Sequence, residues 1–160
     1  MNVTANVLHG LTADLGMRLP ARGSLDWLLA LALIAGALIA GAAGGVAPDR
    51  DVSGWLLLAS LVLWQPAVEE LLFRGVLQGT LRRTALGRRS RWGLSVANAV
   101  TSLAFVSIHF IRQPPLWAAA VVVPSLVFGY FRDRSDSVWP PLVLHIVYNG
   151  AFFATLLAAQ

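Results

Sequence analysis

A chain of 160 residues, 57% hydrophobic and 12% charged with mean hydropathy +0.68, is too apolar for an ordinary soluble domain, where about a quarter of residues carry charge. Net charge is +4, all 12 basic residues are arginines, and they lie mostly between apolar stretches, which suits lipid headgroups and excludes a nucleic-acid binder. With no cysteine, disulfides, cysteine-ligated metals and cysteine nucleophiles are excluded as well.

Residues 1–24 are mixed and polar, with Pro20 and Gly23, and lack the positive start and short apolar core of a signal peptide. They are expected to form an amphipathic or disordered lead-in to a single bundle over residues 25–160. Residues 27–47 carry no charge and are long enough for a spanning helix, which needs about 20 apolar residues. Gly41 and Gly45 have the small-xxx-small spacing and predict close helix packing. Residues 48–51 read as a turn.

A second helix is predicted over residues 53–81, with Glu69, Glu70 and Arg74 inside it. Residues 82–91 hold five arginines and no acid. Residues 92–111 form an apolar segment with one ionisable group, His109. Residues 113–131 form another, interrupted by Pro124, and residues 138–159 a last one with His145 and Asn149. The expected fold is all-α: a polytopic integral membrane helix bundle of about five spans, with an active site between helices. Arg18, Arg22, Arg82, Arg83, Arg88, Arg89, Arg91, Arg132 and Arg134 then share one side, and Arg50 and Arg112 the other. That bias predicts a cytoplasmic N-terminus and an outside C-terminus in the plasma (inner) membrane.

Ionisable groups within spans face the bundle interior or a wet cavity and mark function. Glu70 and Arg74 are four apart, so they share a helix face and can pair. Glu69 is rotated by roughly 100° and is left as the free carboxylate, which suits a general base. Phe105 and His109 are four apart on one helix, and His145 and Asn149 on another. The Asn149 amide beside an imidazole can hold a developing oxyanion. A shared site between three helices would contain a base, imidazoles and a donor. Two histidines and a glutamate could instead bind zinc, through Glu69, His109 and His145, although no H-E-x-x-H is present. To bring Glu69 and His109 to one depth, residues 88–96 must lie along the interface, with the span starting near Ala97.

Glu69-Glu70-x-x-Phe73-Arg74-Gly75, Phe105-x-x-x-His109 and His145-x-x-x-Asn149 resemble the three motifs of the CAAX prenyl protease and bacteriocin-processing family. The stretch SVWPPLVLHIVYN before and through the last motif is similar too, and the resemblance covers about residues 61–150. It implies an intramembrane endopeptidase in which Glu69 activates a water, His109 assists, and His145 with Asn149 stabilises the oxyanion. Glu70, Arg74 and Phe105 support the site, and no metal is required. The implied substrate is a membrane-associated protein or peptide, cut near its C-terminus or leader. The chain is shorter than the eukaryotic prenyl-protein proteases, which leaves the substrate open between a prenylated tail, a C-terminal sorting tail and a bacteriocin-type peptide. The competing readings are a catalytically silent scaffold or chaperone of the same fold and a proton-coupled transporter that uses Glu69.

Overall fold

The computed structural model describes residues 15–19, 27–47, 52 and 54–159. Helix α1 is Trp27–Gly45. Helix α2 is Trp55–Arg82, one continuous 28-residue rod whose winding alternates between α and π. A hairpin of β1, Ser90–Arg91, and β2, Leu94–Ser95, leads into α3, Val96–His109. Helix α4, Pro115–Ala120, and α5, Val122–Ser135, follow, and α6 is Trp139–Ala158. The fold is an all-α polytopic membrane bundle.

Among the described residues four rods are long and apolar enough to cross a bilayer: Leu28–Gly45, Trp55–Arg82, Pro115–Ser135 and Trp139–Ala158. The fifth expected span is shorter than its apolar run of residues 92–111. Its helix has 14 residues and rises about 21 Å, against about 30 Å of hydrocarbon. The hairpin takes the difference. Trp92 and Gly93 both have positive φ, at 53° and 81°, which closes a tight two-residue turn. Ser95 then caps α3 by accepting from the Asn98 N–H at 2.9 Å. The helix therefore starts at Val96, within one residue of the expected start. The α4–α5 break at Val121 has its cause in Pro124, which lacks an N–H and crowds the carbonyl four residues before it.

Chain direction follows from the contacts. Tyr148 donates to the Ala32 carbonyl and Thr155 to the Gly41 carbonyl, so α1 and α6 run parallel. Packing between them is closest at Gly36 and Gly44: a Cβ would enter the Tyr148 ring at the first and the Phe152 carbonyl at the second. This corrects the expected Gly41/Gly45 seam. A Cβ at Gly41 would make only ordinary contact, and one at Gly45 would meet nothing.

The two ends of the bundle are plugged by separate apolar clusters. Leu29, Phe128, Phe131 and Leu144 form one, and Val52, Phe153 and Leu156 the other. On α6 the residues between the clusters include His145 and Asn149. The part of the lead-in that is described is tied down rather than loose. Gly16, Met17 and Arg18 give their carbonyls to Val138 N, Trp139 Nε1 and Ser137 Oγ at the start of α6. The rest of residues 1–24 and the turn at residues 48–51 lie outside the described residues.

Candidate active site

Helix α2 carries Glu69 and Glu70 at the end of a short α stretch, Gln65–Glu70, between π segments Ser60–Trp64 and Leu71–Gln78. Single-turn π insertions are frequent at functional sites. Here the first has a visible consequence. The Gln65 N–H bonds to the Ser60 carbonyl, five residues back. The next residue, Pro66, has no N–H to offer. The Leu61 carbonyl therefore has no donor along its own helix, and Asn149 Nδ2 of α6 supplies one at 3.0 Å. A buried carbonyl without a partner is costly, so Asn149 joins α6 to the bulge. Its second amide hydrogen is not used by this bond.

Below the bulge, residues four apart on α2 form a buried polar column. Arg74 Nε donates to Glu70 Oε2 at 3.3 Å, as the spacing predicts, and Arg74 Nη1 reaches Gln78 Oε1 at 3.4 Å. Arg74 Nη2 donates to Ser125 Oγ on α5 at 2.7 Å. Gln78 Nε2 bonds to the Gly129 carbonyl and to Asp133 Oδ1. Arg132 Nε takes up the Arg74 carbonyl at 3.1 Å. Asp133 also accepts from Ser95 Oγ at 2.6 Å, which brings the start of α3 into the same network. Glu70, Arg74 and Gln78 are at most 1% exposed. So many buried polar groups are tolerable only because each has a partner.

Glu69 and Glu70 are neighbours in sequence and opposites in setting. Glu70 is bonded through both oxygens, to Arg74 and, at 2.9 Å, to His145 Nδ1. Glu69 has no hydrogen bond among the described residues and keeps 26% of its side chain exposed. Its Oε2 lies 3.7 Å from His145 Nε2, too far for a direct bond. It is also within electrostatic reach of His109.

Aromatic rings set the two histidines. Phe105 touches His109 at 4.6 Å between centroids, His145 at 6.0 Å and Phe73 at 5.0 Å, and the Arg74 guanidinium lies 5.6 Å from its centre. Phe128 of α5 stacks on His145 at 5.0 Å. His109 Nδ1 donates to the Phe105 carbonyl at 2.8 Å, which leaves Nε2 for the site.

A family model for the type II CAAX prenyl endopeptidases, Rce1-like, matches residues 51–151. The chain belongs to that family. No curated protein and no solved structure matches it. The matched segment of this Rce1-like chain runs from the start of α2 into α6 and contains every candidate residue named above. Membership supports peptidase activity in general and a substrate associated with the membrane.

Six of the residues expected from sequence meet, Glu69, Glu70, Arg74, Phe105, His109 and His145, whereas Asn149 lies one turn further along α6 on the Leu61 carbonyl. What the spacing did not reveal is how they connect. The Glu70–His145 bond spans 75 positions. Ser125, Phe128, Arg132 and Asp133 of α5 were not anticipated at all. Gln78 could have been, since it continues the four-residue step from Glu70 and Arg74. Among the described residues no group of three or more His, Cys, Asp or Glu side chains is placed to hold a metal ion.

Proposed function

We propose that this chain is an intramembrane endopeptidase that hydrolyses a peptide bond near the C-terminus or leader of a membrane-associated protein or peptide. The observation that carries the reading is the contrast at Glu69-Glu70: one carboxylate is bonded through both oxygens, and its neighbour has no hydrogen bond among the described residues, is partly open and lies 3.7 Å from an imidazole nitrogen. A polar gap of that size accommodates a bridging water. Glu69 takes a proton from that water as it attacks the scissile carbonyl, and His109 assists through Nε2. His145 and the second Asn149 amide hydrogen face the oxyanion. No step is assigned to a metal.

The distribution of arginines between the bundle ends favours a cytoplasmic N-terminus. The Arg82 side chain bonds to Asp133 and Asp136, Arg88 to the Arg82 and Arg83 carbonyls, and the Arg18 carbonyl to Ser137. These arginines therefore gather at one end, with Arg132 and Arg134, which is the pattern of a cytoplasmic face.

The test is cleavage of tail peptides, prenylated and unprenylated, and of leader peptides by purified protein in lipid nanodiscs. Products are read by mass spectrometry, with Glu69→Ala as control. Cleavage should survive chelator treatment, and metal analysis should find no stoichiometric zinc. Equal cleavage by Glu69→Ala would remove Glu69 from the reaction. Activity lost on chelation and restored by zinc would replace the water-and-glutamate scheme.

A further inference from the structure

The Glu70–His145 bond decides which nitrogen of His145 carries the proton. A carboxylate paired with Arg74 offers only lone pairs, so the imidazole must donate from Nδ1. In the neutral ring Nε2 is then an acceptor, and Nε2 is the atom turned to Glu69. The ring cannot easily turn over, because Phe128 stacks on one face and Phe105 meets it edge-on. Glu69 and Glu70 are the charged groups facing it, one at each nitrogen.

We propose that Glu70 is a positioning residue that holds His145 as the Nδ1–H tautomer, so that His145 enters the reaction as a proton acceptor and becomes an oxyanion donor only after it has been protonated. The proposal rests on the protease reading above and adds a sequence of events to it. Water attacks the carbonyl carbon, the new C–O bond forms, and Glu69 takes the proton. That proton passes to His145 Nε2, and the resulting imidazolium N–H faces the oxyanion while Glu70 balances its charge. As the C–N bond breaks, the proton leaves on the amine. Two other contacts anchor the device. Arg74 is held by Ser125 on α5 and, through its own carbonyl, by Arg132. The carboxylate that orients His145 is therefore fixed from a third helix.

Glu70→Gln tests this, because the amide has one acceptor where the carboxylate has two. Arg74 Nε is a cationic donor and claims the amide oxygen. The NH₂ then faces His145 Nδ1 and drives the imidazole proton to Nε2. The chain has three histidines, His9, His109 and His145, so ¹⁵N-imidazole spectra of labelled protein in nanodiscs are simple to assign with single His→Asn variants. With the ring neutral, the parent protein should show protonated Nδ1 and bare Nε2. Glu70→Gln should show the reverse. Its kcat should fall by about 10³–10⁴-fold with KM little changed, in line with the cost of a wrong imidazole tautomer in a catalytic triad. The spectra need no turnover, so they separate this proposal from the protease assignment. An Nε2–H tautomer in the parent would overturn it, even if Glu70→Gln does not fold. So would a folded Glu70→Gln that keeps the parent tautomer, which is what a merely structural Glu70 predicts.

Discussion

Two seams hold this bundle together, and they use opposite chemistry. Between α1 and α6 the contact is made by missing side chains: Gly36 and Gly44 let Tyr148 and the Phe152 backbone come close. Between α2 and α5 it is made by Arg74, Gln78, Ser125 and Asp133, all hydrogen-bonded. In lipid there is little hydrophobic gain from helix association, so both close packing and polar bonds are available as glue. Only the second can also carry chemistry. The polar seam is where Glu69 is left without a hydrogen bond, and the glycine seam contains no carboxylate, imidazole or guanidinium. The comparison predicts that substitutions in the polar seam separate into those that stop the reaction and those that loosen the bundle, whereas glycine-seam substitutions only loosen.

The largest effect is expected at Glu69. Glu69→Gln keeps the size and removes the base, and nothing among the described residues depends on it for a hydrogen bond. Turnover should fall by about 10²–10⁴-fold, with the melting temperature in detergent unchanged. A stable Glu69→Gln protein with near-normal turnover would break the division within the polar seam.

Arg74→Ala should do the reverse. It leaves Glu70 buried with one partner and strips donors from Ser125 and Gln78. Removing one member of a buried pair costs about 3–5 kcal/mol. Lowered melting temperature and expression should accompany lost activity. Equal melts for Arg74→Ala and the parent would show that the column is not a structural element.

The polar seam was only half legible in the sequence. Glu70–Arg74 follows from a four-residue step on any helix, and the rods of α1, α2 and α6 follow from apolar run length. His109, His145 and Asn149 stood out because an ionisable or amide group inside an apolar span is rare. The partners from α5 did not stand out. Ser125 beside Pro124 reads as a helix irregularity, and Asp133 lies past the end of the apolar run of residues 113–131. Their roles depend on where α5 crosses α2, and periodicity within one helix holds no information about crossings. The π winding was hidden too; Pro66 removes a donor, but that alone does not specify how the chain rewinds. The α3 span was overestimated because an apolar run does not report that Trp92-Gly93 turns within it. At the glycine seam the spacing rule selected Gly41 and Gly45 where the contact is at Gly36 and Gly44, since glycines at several spacings crowd α1 and only the docked partner selects among them.

That last difference gives a third test, smaller than the first two. Gly44→Ala places a methyl against the Phe152 carbonyl, which is backbone and cannot swing aside. The helices must separate, at a cost of about 1–3 kcal/mol for an overpacked contact. Gly45→Ala meets nothing and should be neutral or gain up to about 1 kcal/mol in helix propensity. Paired melts of the two variants, one position apart, would sharpen the seam to a single residue. Equal loss in both would indicate general intolerance of bulk in α1.

The smallest effect is expected where the polar seam reaches the aqueous end. Asp136 follows α5 in a left-handed conformation, with φ 52°, and receives bonds from Arg132 at 3.0 Å and Arg82 at 2.8 Å. Partial burial pushes its carboxyl up, but the bond from Arg132 and the charges of Arg132 and Arg82 outweigh it and hold the group below its ordinary 3.8. A carboxylate depressed in the folded state adds stability that is full above the unfolded value and is lost as pH falls through the folded one. The contribution should therefore be constant at neutral pH and disappear only below about pH 4. Asp136 is 77% exposed, so screening limits the pair to about 0.2–1 kcal/mol. Asp136→Asn should lower the melting temperature slightly at pH 7, leave turnover intact, and match the parent once both are well below pH 4. A loss of activity comparable to Glu69→Gln would mean that the end of the column is coupled to the carboxylates, and the division between reacting and supporting groups within the seam would have to be redrawn.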